Sequence, residues 1–203
     1  MGINNKLRFQ CIHCGQCCLD QNTLVNTTYI DVLRIRNGLN LTIDEVIEIL
    51  GFYVFDQAPS VNEISRMVVP PIQTEQGMAF VGLKKKPNGQ CFFYDIVKER
   101  CSIYAFRPGF CRTFPFTFTI LKDKNKKKSE ISIFYTNKGI QYCRGIGEEY
   151  PFIDLEQWIN LGREVIRDLS KNNQLTKKWN SSVKNKRISP SARNYVLTIF
   201  NLE

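Results

Sequence analysis

The chain has a single histidine, His13, among its 203 residues, and it has neither a glycine-rich phosphate loop nor a dinucleotide-binding fingerprint. No stretch approaches the roughly 20 apolar residues that a membrane-spanning helix needs, and the N-terminal segment lacks the apolar core of a signal peptide. A catalytic Cys–His pair is not expected, because the one histidine lies inside a cysteine-rich loop. These absences predict a cytoplasmic protein, in a compartment where thiols stay reduced and free to bind metal.

Cysteine, by contrast, is abundant and unevenly distributed. Four of the eight cysteines lie within eight residues near the start of the chain, and the other four follow at wide intervals. A disulfide framework is disfavoured, because a bond between the adjacent residues Cys17 and Cys18 would be strained. Eight thiols are enough for two four-thiolate metal sites. We predict that the metal ligands are Cys11, Cys14, Cys17, Cys18, Cys91, Cys101, Cys111 and Cys143.

The first cysteines have the C-x₂-C-x₂-C spacing that holds three corners of an iron–sulfur cube, with a remote cysteine supplying the fourth. Gly15 provides the flexible backbone that such a loop needs. The segment is not a ferredoxin loop, because Cys18 follows Cys17 at once. It does not match the C-x₃-C-x₂-C loop of radical S-adenosylmethionine enzymes either, because Gln21 stands where the last cysteine would be.

The adjacent pair Cys17 and Cys18 indicates two metal centres. In an extended segment, neighbouring side chains point to opposite sides. We therefore group Cys11, Cys14 and Cys17 with one downstream cysteine, and Cys18 with the remaining three. His13 is either a ligand or hydrogen-bond donor to sulfur, or a residue that only fills the loop.

Arginines and aromatic residues surround the downstream cysteines. A four-thiolate site keeps a net charge near −2, which nearby guanidinium groups would offset. The arginines near the thiols are Arg100, Arg107, Arg112 and Arg144. The aromatic residues would keep the centre dry, which matters most for a redox cluster, or they belong to the hydrophobic core. They are Phe92, Phe93, Tyr94, Tyr104, Phe106, Phe110, Phe114 and Phe116.

The formal net charge of +9 raises the question of nucleic-acid binding. Eight thiolates around two divalent centres would reduce it to about +5. The lysine runs 84–86 and 126–128 fall in predicted hairpin turns, where charged residues commonly keep sheet edges soluble. We therefore interpret these runs as solvated loops, with a nucleic-acid patch as the alternative.

Hydrophobic periodicity and turn residues predict short helices and hairpins. A helix capped by Thr28 ends near Gly38, and a capping box from Thr42 to Glu45 starts a second helix that stops at Gly51. Asp154 caps a helix that runs to Leu169. The remaining predicted elements are a hairpin of residues 78–83 and 91–94, a hairpin of residues 114–121 and 131–135, a polar basic segment over 171–189, and a last helix after Pro190.

Taken together, the cysteine motifs resemble the CxxCxxCC family, also called YkgJ-like cysteine-cluster proteins, which are described as zinc- or iron-chelating domains. The matching segments run in family order and are Phe9-x-Cys11-x-x-Cys14-Gly15-x-Cys17-Cys18, Cys91-Phe-Phe, Arg100-Cys101-Ser-Ile-Tyr104, Arg107-Pro108-x-x-Cys111-Arg112-x-Phe114-Pro115 and Cys143-x-Gly145-x-Gly147. The resemblance implies that all eight cysteines are characteristic of the family. The family also includes larger flagellin lysine N-methylases, whose additional sequence has no obvious counterpart here.

The predicted fold class is α+β, a small irregular cysteine-rich domain centred on metal, with short hairpins and packed helices. Residues 9–147 form the metal-binding domain, and residues 150–203 form a helical extension packed on it. The predicted function is chelation of a [4Fe–4S] iron–sulfur cluster, or of zinc, with a role in redox chemistry or electron transfer. A protein-lysine N-methylase-like enzyme and a zinc-stabilised nucleic-acid-binding module are the alternatives. The predicted partner is a protein or redox partner rather than a membrane, and nucleic acid is less favoured.

Overall fold

The computed structural model describes residues 7–121 and 130–202, which form helices and small antiparallel sheets. The predicted α+β class is confirmed. The helices are α1 (Gln16–Leu19), α2 (Tyr29–Leu39), α3 (Ile43–Ile49), α4 (Val61–Arg66), α5 (Gly109–Thr113), α6 (Asn137–Tyr142), α7 (Leu155–Lys184) and α8 (Ala192–Phe200). The strands are β1 (Leu50–Val54), β2 (Ile72–Thr74), β3 (Gly77–Leu83), β4 (Tyr94–Asp95), β5 (Arg100–Cys101), β6 (Phe116–Leu121) and β7 (Glu130–Tyr135).

The largest sheet is three-stranded and antiparallel, with β3 between β1 and β2. The predicted pairing of residues 78–83 with residues 91–94 is therefore wrong. Ala79, Val81 and Leu83 are all buried, so β3 is a central strand that needs a partner on each side. Only an isolated bridge between Lys85 and Cys91 remains of the predicted hairpin. Residues 94–95 pair instead with residues 100–101.

The second predicted hairpin is confirmed. Strands β6 and β7 are antiparallel, with Phe116 opposite Tyr135. The lysine run 126–128 lies outside the described residues. Phe116 stacks on Tyr135 and meets Trp158 edge-on at 4.6 Å between ring centroids, which joins this hairpin to the start of α7.

The predicted helix starts are confirmed at three positions. Thr28 and Thr42 each form a capping box with the residue three positions later, and the Asp154 carboxylate accepts from the Gln157 N–H. Helix α7 continues beyond the predicted end at Leu169 to Lys184. The segment 171–184 is helical because Leu175 and Trp179 extend its buried face, which the many polar residues between them obscure in the sequence.

Helix α7 joins two hydrophobic cores. Its first turns pack with the β6–β7 hairpin, and its second half packs with α2, α3, α8 and the three-stranded sheet. The Trp179 indole N–H donates to the Gln73 carbonyl at 2.9 Å, which fixes α7 to β2. Every helix in the described residues is too short or too polar to cross a bilayer. The proposed division at residues 147–150 stays a prediction.

The carboxylate of Asp31 ties α2 to α5. Asp31 is 2% exposed and accepts from the Thr28 backbone N–H at 2.9 Å and from the Thr28 hydroxyl at 2.8 Å. Its other oxygen accepts from Arg34 at 2.7 Å and from the Gly109 N–H, the first residue of α5, at 2.9 Å. Because α5 carries Cys111, this buried carboxylate positions one of the predicted ligands.

We expect Asp31→Ala to lower the free energy of unfolding by about 3 kcal/mol, because it leaves buried N–H donors without an acceptor. Glu45→Ala is the matched control, since Glu45 occupies the same capping-box position in α3 but is exposed and reaches no other segment. Its loss should be much smaller. Urea denaturation measures both variants, and equal losses would contradict a linking role for Asp31.

Candidate metal centre

The eight cysteines lie in separate parts of the chain, and all are free thiols. Cys11 and Cys17 are exposed, Cys91 is buried, and the others are partly buried. Cys91 lies before β4, Cys101 ends β5, Cys111 lies in α5, and Cys143 follows α6. The predicted ligands are thus up to 132 positions apart in the sequence, and a site that used all of them would require most of the fold.

Cys17 and Cys18 lie in helix α1 rather than in an extended segment. Their Sγ atoms are 4.0 Å apart. The premise that their side chains point to opposite sides is therefore wrong, since successive residues of a helix differ in direction by only about 100°. The argument for two separate centres loses this support.

The Cys18 thiol contacts Cys17, with 4.0 Å between the Sγ atoms, and interacts with Cys101. The interaction with Cys101, the contact with Cys17 and burial together raise the pKa of Cys18. The contact with Cys18 lowers the pKa of Cys17 to about 7. Desolvation of the thiol opposes this shift, and the positive charge of Arg107 adds to it. The pKa of Cys101 is lowered to about 7 in the same way. The pKa values of Cys17 and Cys101 are thus lowered, whereas that of Cys18 is raised.

The other downstream thiols belong to the same electrostatic group. Desolvation raises the pKa values of Cys91, Cys111 and Cys143. The Cys17 thiol adds to each of these increases, and Cys14 also acts on Cys143. Mutual effects of this kind require proximity, because the interaction between charges falls with distance. The N-terminal loop and the three segments that carry Cys91, Cys111 and Cys143 therefore lie in one region of the structure.

Gly15 allows the cysteine loop to reach its position. It has φ +71° and precedes α1, and a Cβ atom there would lie 2.3 Å from the hydroxyl oxygen of the buried Tyr94. The loop then joins the downstream segment through the Cys91 N–H, which donates to the Cys18 carbonyl at 2.8 Å. Close approach to the aromatic ring and a left-handed backbone both require glycine here.

A second glycine brings Cys143 to the loop. The Gln10 N–H donates to the Gly145 carbonyl at 3.0 Å, and a Cβ atom on Gly145 would lie 2.2 Å from the Gln10 carbonyl oxygen. Phe9 and Leu7 extend this contact, through hydrogen bonds with Pro151 and Ile153. The chain entering the cysteine loop is thus fixed to the segment that follows Cys143.

Of the four arginines predicted to offset thiolate charge, Arg107 has this role. It lowers the pKa values of Cys17 and Cys101. Arg112 instead forms a two-bond ion pair with Glu164 of α7, at 2.6 and 3.1 Å. Arg100 and Arg144 are exposed and do not contribute to the lowered pKa values of these thiols.

Tyr104 links Arg107 to the loop. The Arg107 guanidinium lies 3.6 Å from the centroid of the Tyr104 ring, and the His13 ring lies 4.6 Å from that centroid. Burial raises the pKa of Tyr104, and the nearby Cys11 thiol raises it further. The exposed His13 thus packs on an aromatic ring, as a residue that only fills the loop would, and its role toward metal stays a prediction.

Sequence reasoning missed an ion-pair cluster beside the loop. Asp20 accepts from Lys138 at 2.8 Å and from Thr23, Tyr142 and the Asn22 N–H. Although burial acts to raise it, these hydrogen bonds hold the pKa of Asp20 well below its usual range. A lone Asp after a cysteine pair gives no signal in sequence, because its partner is 118 residues away.

Two residues of the lysine run 84–86 are structural rather than solvated. The Lys85 ammonium donates to the Asp20 carbonyl at 2.7 Å, and the Lys86 ammonium donates to the Tyr94 carbonyl at 2.5 Å. Both side chains are partly buried, and Lys84 alone is exposed. The interpretation of this run as a solvated turn is therefore wrong for two of its three members.

The donor set suits a thiophilic metal. Tetrahedral zinc with Zn–S bonds of about 2.3 Å places two thiolates about 3.8 Å apart, close to the 4.0 Å between Cys17 and Cys18. In the conformation described for residues 7–121 and 130–202, no three His, Cys, Asp or Glu side chains form a group that could hold an ion. Binding therefore requires the thiols to turn further toward one another, and the assignment of the eight ligands stays a prediction.

We expect Gly15→Ala to lower the free energy of unfolding by about 3 kcal/mol, because it combines left-handed strain with a clash at Tyr94. Gly77→Ala is the control, since Gly77 also has a positive φ, at +123°, but its Cβ would meet only Val54, at 3.6 Å. Denaturation in urea compares them. If Gly77→Ala lowers the free energy of unfolding as much as Gly15→Ala does, the clash with Tyr94 does not account for the loss at position 15.

In the reduced, metal-free protein, we expect Arg107→Gln to slow alkylation of Cys17 and Cys101 at pH 7 roughly two- to fivefold. Loss of the guanidinium raises both thiol pKa values, so that less thiolate is present at that pH. Arg100→Gln, next to Cys101, should leave the rates unchanged. Iodoacetamide labelling with peptide mass spectrometry gives each rate, and equal slowing in both variants would contradict the role of Arg107.

Comparison with known proteins agrees with this site. Residues 10–136 match the CxxCxxCC family, described as "Putative zinc- or iron-chelating domain". An uncharacterized protein of Methanocaldococcus jannaschii is 25% identical over 143 residues, which cover 70% of this chain and 60% of that protein. No solved structure gives a significant match. The family match covers more than half of the chain and includes seven of the eight cysteines, and the chain belongs to the CxxCxxCC family.

Proposed function

We propose that the chain is a metal-binding protein whose cysteines hold iron, as an iron–sulfur cluster, or zinc. The observation that carries this proposal is the 4.0 Å contact between the Sγ atoms of Cys17 and Cys18 in the N-terminal loop, with Cys101 of β5 near enough to affect the pKa values of both. Free thiols that approach one another in a reducing compartment are typical of a metal site. The membership in a family described as zinc- or iron-chelating supports the same function.

Cys17, Cys18 and Cys101 would form the central part of the ligand set, with Cys11 and Cys14 from the same loop. Cys91, Cys111 and Cys143 would complete it. A bound cluster would supply one-electron transfer, whereas bound zinc would stabilise the fold without redox chemistry. Metal affinity should rise with pH, because thiols must lose their protons to bind.

Two features of the loop favour different metals. The spacing of Cys11, Cys14 and Cys17 favours a [4Fe–4S] cluster. The 4.0 Å separation of Cys17 and Cys18 favours a single ion shared by both sulfurs. We place the cluster first because the buried aromatic residues Phe93 and Tyr94 lie next to the thiols, and exclusion of water stabilises and tunes a cluster.

The deciding measurement is the metal and sulfide content of anaerobically purified protein, together with its visible spectrum. We expect iron with acid-labile sulfide and visible absorption. A colourless protein with stoichiometric zinc would keep the chelating function and overturn the cluster. A protein that retains neither metal, and takes up neither when it is supplied, would overturn the proposal.

Substitution at the central thiol tests the site itself. We expect Cys18→Ser to lose at least half of the bound metal, because the Cys18 thiol contacts Cys17 and interacts with Cys101. His13→Ala is the matched control within the loop and should keep the metal, since His13 packs on Tyr104. Circular dichroism of both variants verifies folding. Full metal content in Cys18→Ser would remove Cys18 from the ligand set.

The methylase-like alternative finds no specific support in the described residues. The family membership applies to the chelating domain, and the relative from Methanocaldococcus jannaschii is itself uncharacterized. An enzymatic activity therefore stays a prediction that S-adenosylmethionine binding by the metal-loaded protein would test.

A further inference from the structure

Helix α7 presents a continuous cationic face that the metal site does not use. Between residues 163 and 184 its exposed positions carry six Lys or Arg side chains. These cations are Arg163, Arg167, Lys171, Lys177, Lys178 and Lys184. At about 100° per residue they fall within an arc of about 140°, and they extend along about 32 Å of the helix. We refer to these six residues as the cationic face.

The two acidic residues of the same stretch offset only part of this charge, through electrostatic interactions of Glu164 with Arg167 and of Asp168 with Lys171. Glu164 binds Arg112 of α5, and Asp168 lies 3.5 Å from Arg34 of α2. Both carboxylates thus point toward cations of neighbouring helices. In the described part of the chain, no member of the cationic face forms a salt bridge; Arg163 donates a hydrogen bond to the neutral Asn160.

An ordinary solvated helix differs from this arrangement. Exposed helix faces commonly alternate acidic and basic residues, which form stabilising pairs at i,i+4. Here Arg163, Arg167 and Lys171 follow one another at i,i+4, where like charges repel. The repulsion that the two carboxylates leave uncompensated favours a polyanionic ligand.

We propose that the cationic face of α7 binds the phosphate backbone of double-stranded nucleic acid without reading its sequence. The 32 Å of helix would face a duplex that carries one phosphate charge per about 1.7 Å of its axis. Release of counterions then supplies the binding free energy. This inference is independent of the metal that the cysteines hold.

The composition of the face argues against other polyanions. Binding to an anionic membrane requires apolar side chains beside the cations, and none of the exposed large apolar residues in the described regions lies in α7. Single-stranded nucleic acid requires aromatic residues for base stacking. Trp158 and Trp179, the two tryptophans of α7, are partly and fully buried. Duplex phosphates need neither feature.

The test compares two triple variants of the full chain that remove the same charge. Arg163→Gln, Arg167→Gln and Lys171→Gln together neutralise half of the face. The control combines Arg66→Gln, Lys84→Gln and Lys98→Gln, three exposed cations that lie elsewhere. Fluorescence anisotropy with labelled 20-base-pair DNA and RNA duplexes measures affinity from low to physiological salt, and circular dichroism verifies that each variant is folded.

We expect the wild-type chain to bind at least one of the duplexes with a dissociation constant of about 10⁻⁶ to 10⁻⁴ M at physiological salt, and more tightly at low salt. The α7 variant should weaken binding at least tenfold at low salt and reduce the salt slope by about 2 to 3. The control should retain the wild-type slope. The DNA and RNA arms identify the duplex that is preferred.

Three results would overturn the inference. They are undetectable binding of both duplexes at low salt, equal weakening in the α7 variant and the control, and binding to vesicles of anionic phospholipid without binding to either duplex. Because the metal content of the α7 variant should equal that of the wild type, these results are separable from failure of the metal-binding proposal.

Discussion

The structure depends on the close passage of the cysteine loop over the segment that follows β3. Gly15 lies against Tyr94, and the Cys91 N–H binds the Cys18 carbonyl, so the loop and the downstream cysteines are held at backbone distance. No side chain at position 15 is compatible with this passage. The thiol contacts follow from it, because Tyr94 pairs with Cys101 across β4 and β5. A glycine and a buried aromatic ring therefore bring two distant parts of the sequence into one site.

Charge around the site is arranged at several levels. Arg107 acts on the thiols directly and is itself held over the Tyr104 ring. Lysines 85, 86 and 138 bind carbonyl or carboxylate oxygens of Asp20 and Tyr94, in the segments that carry the thiols. Positive charge is thus placed near the thiols that are predicted to bind metal. The predicted ligands and the compensating charges belong to the same short segments.

The sequence predicts local features better than long-range ones. The capping boxes at Thr28 and Thr42 are confirmed because a cap depends on four neighbouring residues. The hairpin of β6 and β7 is also local. The sequence does not predict that β3 pairs with β1 and β2. Strand β1 is separated from β3 by helix α4, and nothing in residues 78–83 distinguishes one antiparallel partner from another. The expectation that the Cys17 and Cys18 side chains point to opposite sides is wrong, because they lie in α1, and a helix of four residues is too short to show periodicity in the sequence. Spacing identified the thiols as a group, whereas their contacts depend on the tertiary structure.

The interactions that position the site also determine the surface of α7. The Asp31 carboxylate accepts from the N–H of Gly109 at the start of α5, and Arg112 of α5 forms an ion pair with Glu164 of α7. Arg34 of α2 forms an ion pair with Asp168 of α7. These contacts place Cys111 relative to the rest of the fold, and they pair the two carboxylates of α7 with cations of neighbouring helices. The cationic face is thus a consequence of how the helices are joined, and it combines with the overall charge of +9. An ion-pair network that joins neighbouring helices can therefore leave an excess of positive charge on the exposed side of one of them.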